Sequence, residues 1–236
     1  MASTSAQLRR ATRTGSIAAV HTRELLIFGA GGFGREVASW AGRAQWQEQG
    51  FEAVAFIDDN APAPELNGRP VLGLAEAAAR HPGAYVIATV GDPRLRERLI
   101  GKALEAGLVA TAPLVHPNVE YDHDYVHFAE GVVVCAGSIL TVNIAVEAHA
   151  QINLDCTVGH DAVIGAYSTL SPGVHISGNV TLEPYTFMGT GAVTVNGLPG
   201  WPLRIGAGAV VGAGAVVTKD VPGGVTVTGV PARPRT

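Results

Sequence analysis

The chain has 236 residues, 47% of them apolar and 15% charged, with a net charge of −4. That length holds one large or two small well-buried domains. The mildly acidic balance, with no basic stripe, excludes a nucleic-acid surface, and no apolar run reaches the roughly 18 residues that cross a bilayer.

Residues 1–24 are rich in Ala, Ser, Thr and Arg, with no acidic residue before Glu24. They read as a disordered leader; a transit peptide shares this composition but needs an amphipathic face that the segment lacks. Residues 25–114 alternate strand and helix. The apolar run Glu24–Phe28 is a buried strand, and a helix follows through Trp40. A second strand, Ala53–Ile57, ends in Asp58 and Asp59, and a third spans Ala84–Val90. Arg94–Ala106 forms the next helix, while Asn67–Gly73 reads as a turn-rich connection. Such alternation implies a parallel sheet with right-handed crossovers. At this length the unit is half of a Rossmann-like domain. Between the first strand and its helix lies Gly29-x-Gly31-x-x-Gly34. Glycine lets a backbone approach an anion, and a helix N-terminus supplies free donors, so the setting suits a phosphate or pyrophosphate. Asp58 is placed to accept from a ribose or base. A purely structural tight turn is the plain alternative.

His116-Pro117 marks the hand-over to a second unit, residues 115–236. From Phe128 to Met188 a bulky apolar residue recurs at every sixth position, and the series resumes at Ile205, Val211 and Val217 after a break at Asn196–Leu203. Helices repeat near 3.6 and strands near 2, so neither gives a period of six. A parallel β-helix with a triangular coil does. Small or β-branched residues two before each ladder position suit tight corners, and the break reads as a loop thrown out of the solenoid. That loop either projects over a neighbouring subunit or is a plain surface excursion.

Two histidine readings compete. His160 stands two past the ladder residue Val158, beside small Gly159, where a corner side chain reaches solvent; there it can serve as a general base. An idle exposed histidine is the bland reading. Asp161 is placed to bind an acceptor, and a carboxylate elsewhere is the better candidate to orient the imidazole. His149, His160 and His175 fall at three different phases of the repeat, so no metal site is expected. Cys135 and Cys156 read as buried reduced thiols of a cytoplasmic protein.

The segments Ile27–Val37, Phe56–Asp59, His116-Pro117, Val158–Asp161, Ile176–Asn179 and Gly229–Ala232 together resemble the bacterial sugar acyltransferases. That family includes sialic-acid O-acetyltransferases and UDP-4-amino-sugar N-acetyltransferases. The resemblance implies a left-handed β-helix of hexapeptide repeats, a homotrimer with its sites between adjacent solenoids, acetyl-CoA as co-substrate, and a nucleotide sugar held by the first domain. It makes His160 the catalytic base with Asp161 beside it, and gives Gly178 a backbone donor for the thioester oxygen. Thr169, Thr190 and Gly212 fall to the CoA groove, and Gly29, Gly31, Gly32, Phe33, Asp58 and Asp59 to the acceptor pocket. Phe33 and Thr169 both stand where relatives often carry His. Phe33 therefore keeps a non-sugar acceptor, such as an amino acid or antibiotic precursor, as a competing reading, beside a non-catalytic sugar-nucleotide-binding protein.

Overall fold

The computed structural model describes residues 23–43 and 50–235. Residues 1–22 of the expected leader lie outside them, whereas Arg23 and Glu24 already belong to the first strand. Strands β1 (Arg23–Phe28), β2 (Phe51–Ile57), β3 (Glu65–Leu66), β4 (Arg69–Leu72), β5 (Tyr85–Ala88) and β6 (Val109–Ala110) form one sheet in the order β3-β4-β2-β1-β5-β6. All neighbours are parallel except the β3–β4 hairpin. Helices α1 (Gly32–Trp40), α2 (Leu74–Arg80) and α3 (Pro93–Glu105) connect the strands. The turn-rich connection is thus a correction. Its second half is β4, with Val71 and Leu72 paired to Phe56 and Ile57. Asn67 and Gly68 take φ of 48° and 74°, the left-handed pair that a two-residue hairpin needs, and these turn residues hid the strand.

Three parallel sheets then wind as a left-handed β-helix. Leu114–Val115 is already its first strand, paired with Val133–Val134, so the hand-over lies between Ala110 and Leu114. We name the sheets by their strands: face I holds Val134, Ile152, Leu170 and Met188, face II holds Leu140, Val158 and Ile176, and face III holds Val146, Ile164 and Leu182. Every ladder residue from Val134 to Val217 is at most 2% exposed, so the period of six is the core itself. Residues two before the ladder, such as Val132, Ala150, Cys156 and Val174, are buried too and fill the inner corners. The backbone turns one position earlier. There Gly131, Gly137, Asn143, His149, Asp155, Asp161, Tyr167, Gly173, Asn179, Tyr185 and Gly191 all take φ between 55° and 77°.

The break in the repeat is a loop at the vertex between faces II and III. Leu182 pairs with Ile205, five residues further along than the 18-residue coil requires. Its base is tied to the coil above, with the Gly197 N–H donating to the Gly178 carbonyl and the Leu203 N–H to the Asn179 carbonyl, both at 3.0 Å. Leu198 and Trp201 bridge its tip, and Trp201 is 80% exposed. Among the described residues no helix is long and apolar enough to cross a membrane.

The first domain rests on face I. Outward-facing Val133 and Cys135 join Leu25, Ile27, Val37 and Trp40 in one apolar cluster. Further along, Arg96 of α3 is 1% exposed and donates to the carbonyls of Val90, His149, Tyr167 and Ser168 and to the side chains of Gln151 and Thr169. Burial pulls its pKa down to about 9, with Asp92 and Tyr167 opposing.

Candidate active site

His160 and Asp161 occupy the vertex between faces II and III, opposite the face that carries the first domain. Asp161 takes the left-handed corner conformation, φ 58°, which turns its carboxylate back toward its neighbour. His160 Nδ1 lies 2.8 Å from Asp161 Oδ2. The adjacent residue therefore orients the imidazole, correcting the expectation that a more distant carboxylate would. This hydrogen bond, followed by one that Asn143 Nδ2 donates to Oδ1 at 3.0 Å, holds the Asp161 carboxyl below its ordinary value. A carboxylate on Nδ1 selects the tautomer whose Nε2 carries a lone pair. Both side chains are about half exposed.

The imidazole lies over Gly178 in the next coil. A Cβ there would stand 2.5 Å from His160 Nε2, so glycine is what lets the ring settle. Gly159 is likewise required, since its Cβ would meet the Gly178 nitrogen at 2.6 Å. The Gly178 N–H has no acceptor among the described residues. A proton acceptor and an unused backbone donor thus share one small patch, the minimum for attack on a carbonyl.

In the first domain Gly31 caps α1 without a side-chain bond, and no acidic residue occupies the first turn, so its donors stay open to an anion. Gly29 has φ 106°, and a Cβ on Gly34 would lie 1.9 Å from the Gly29 oxygen, so the motif shapes the turn as well. Gly31 and Gly32 face open space. Asp58 Oδ2 accepts from the Ala30 N–H at 3.0 Å and Oδ1 from the Asn60 N–H at 2.9 Å, so this carboxylate already holds the glycine loop. Gly29, Asp58, Asp59, Leu95, Leu99 and Lys102 are among the residues around a cleft of about 330 Å3. Phe33 leans away from it, half-buried against the cluster that includes Trp40, Val133 and Cys135.

Thr169, expected in the CoA groove, is closed off from solvent within this chain. It is 2% exposed beneath the first domain, its hydroxyl donating to the Gly91 carbonyl at 2.8 Å and accepting from Arg96. Thr190 and Gly212 sit at the vertex between faces I and II, across face II from His160, so one chain does not bring them together with the base. Cys156 is buried with its thiol aimed at the Ser171 carbonyl at 3.3 Å, and burial pushes its pKa up to about 11, which removes it as a nucleophile. Sequence reasoning passed over Asn143 and Arg96. Their partners in the solenoid are 18 and more than 50 residues away, and only the 18-residue coil length could have paired Asn143 with Asp161.

Residues 24–103 match the PglD N-terminal domain family. Over 210 residues the chain is 37% identical to GDP-perosamine N-acetyltransferase of Escherichia coli O157:H7, covering 88% of this chain and 94% of that one. The chain belongs to the bacterial sugar acetyltransferase family. Its fold superposes on WeeI from Acinetobacter baumannii AYE with a TM-score of 0.81 and 38% identity, covering 91% of this chain and all of WeeI. A mutant perosamine N-acetyltransferase from Caulobacter crescentus, solved in complex with CoA and GDP-perosamine, gives 0.79 and 30%, with 93% of this chain and all of that one covered.

Proposed function

We propose that this acetyltransferase moves the acetyl group of acetyl-CoA to the amine of a GDP-linked amino sugar, with His160 as general base. The observation that carries the chemistry is the His160 ring, tied by Nδ1 to Asp161 and set over Gly178, whose N–H has no acceptor among the described residues. The acceptor amine attacks the thioester carbonyl carbon while Nε2 takes its proton. The tetrahedral oxyanion accepts from the Gly178 N–H. On collapse the C–S bond breaks, and the sulfur leaves with the proton returned by the imidazolium. Base catalysis of this kind supplies about 10²–10⁴-fold, and one well-placed oxyanion donor about 10²–10³-fold. No covalent enzyme intermediate is required.

The perosamine enzymes among its relatives favour a GDP-linked acceptor, held by the Gly29–Gly34 loop and the cleft beside Asp58 and Asp59. That cleft belongs to the domain on face I, whereas His160 projects from the opposite vertex. The acceptor of one subunit then meets the base of another, which is the reason for a homotrimer. In this assembly Thr190, exposed, and Gly212 form part of the CoA groove. The free, buried thiols Cys135 and Cys156 suit a reducing cytoplasm, where acetyl-CoA and nucleotide sugars occur.

The test is thiol release from acetyl-CoA across GDP-, UDP- and dTDP-linked amino sugars. We expect release with a GDP-linked amino sugar, falling about 10²–10⁴-fold in His160→Ala. Release that survives that substitution in a folded protein overturns the base, and release indifferent to any sugar nucleotide overturns the acceptor.

A further inference from the structure

The hydrogen bond between Asn143 and Asp161 has a role beyond stacking two coils. We propose that Asn143 is a positioning residue: its amide fixes the Asp161 carboxylate so that the second oxygen of that group holds the His160 ring with Nε2 over Gly178. The proposal rests on the acetyl-transfer reading of the site.

Asn143 stands one coil before Asp161 at the same vertex, and both adopt the left-handed conformation, φ 56° and 58°. Asn and Asp are the non-glycine residues that enter this region most readily. A carboxylate only accepts, so the Nδ2 end of the amide faces it, 3.0 Å from Oδ1, while Oδ2 meets His160 Nδ1 at 2.8 Å. The two oxygens thus have one partner each, and the plane of the carboxylate is set.

That support is needed because of exposure. With the His160 and Asp161 side chains 52% and 47% exposed, a single contact between them competes with water and contributes little to holding either. A second hydrogen bond restrains the carboxylate without covering it. The donor is neutral, which matters equally. Lys or Arg here would fix the same oxygen but cancel the charge that stabilises the imidazolium formed during proton transfer. An amide orients and leaves the charge in place. The other non-glycine corner stack, His149, Tyr167 and Tyr185, instead packs ring on ring beneath Arg94 of α3.

Two substitutions keep the corner and remove the donor. Asn143→Gly retains the left-handed backbone, and Asn143→Asp retains shape while replacing the amide with an acceptor. Each is expected to lower kcat about tenfold, the scale of one hydrogen bond to a charged group, with KM for both substrates within about twofold. In an Asp161→Asn background, Asn143→Gly adds no further loss. Nitrogen NMR of labelled histidine in the ligand-free protein, with His160 identified by its absence from His160→Asn, reads the tautomer directly. Wild type shows the Nδ1–H form, and Asn143→Gly shifts it toward Nε2–H. An unchanged tautomer, or an equal loss of kcat with and without the Asp161 carboxylate, overturns the proposal. Should the wild type turn over no sugar nucleotide, the acetyl-transfer reading fails while the tautomer still decides on Asn143.

Discussion

Two histidines of one solenoid, eleven positions apart, meet opposite fates. His149 and His160 each lie over a glycine of an adjacent coil. A Cβ on Gly131 would stand 2.0 Å from His149 Nδ1, and one on Gly178 would stand 2.5 Å from His160 Nε2. The vertex of His149 is covered. The ring is 4% exposed, stacks on Tyr167, and has its carbonyl capped by Arg96. Desolvation, with Arg96 adding to it against Glu130, holds its pKa below the ordinary histidine value, and its Nδ1 is buried without a hydrogen-bond partner among the described residues. The vertex of His160 is open and carries a carboxylate. A repeat supplies equivalent corners; what packs on a corner decides whether its histidine is mortar or reagent.

The sharpest way to break this contrast is at the open vertex. Gly178→Ala drives a methyl into the place of the His160 ring, and we expect kcat to fall about 10²-fold, since displacement of a reacting group by about 1 Å costs that much. Thermal stability should stay near wild type because the imidazole can swing into solvent. Full activity would mean that the ring does not work from above Gly178. Arg96→Met probes the covered vertex instead. Four carbonyls and two side chains lose their buried donor, which should cost about 3 kcal/mol in urea unfolding. If stability is unchanged, the first domain is held to face I by its apolar cluster alone. The smallest effect is pH dependence. A histidine whose folded pKa lies below its unfolded value contributes stability above about pH 6.5 that is lost as pH falls, because the unfolded chain then binds the proton more readily. His149→Asn, which suits the left-handed corner, should flatten this acid loss. His116, whose pKa burial and then Arg43 also lower, keeps part of the slope. An unaltered slope would show that His149 is not the group being protonated.

Much of this was legible in the chain. The period of six identified the solenoid core from Val134 to Val217, the interruption at Asn196 located its loop, and the glycines at 29, 31 and 34 located the turn before α1. What escaped notice depends on distance along the chain. Asn143 meets Asp161 only because one coil takes 18 residues. Family position points Thr169 toward the cofactor, but the Arg96 guanidinium and the Gly91 carbonyl, from a domain more than 70 residues away, claim its hydroxyl. The contact of Asp161 with His160 is hidden in the sequence because an extended backbone points adjacent side chains apart. Positive φ at the corner brings them together, and Asp, unlike glycine, gives no plain sign of it.

The last strand of face I, Arg233–Pro234, runs antiparallel to Thr226–Thr228, where every earlier rung is parallel. A stack of identical rungs has no intrinsic reason to stop, since its final strand offers unpaired groups to the next molecule. A reversed strand presents the wrong polarity for another coil, and Pro234 brings no N–H to offer. Among the described residues that face closes on a strand of opposite direction, so a further coil in register would find neither a parallel partner nor a donor at Pro234.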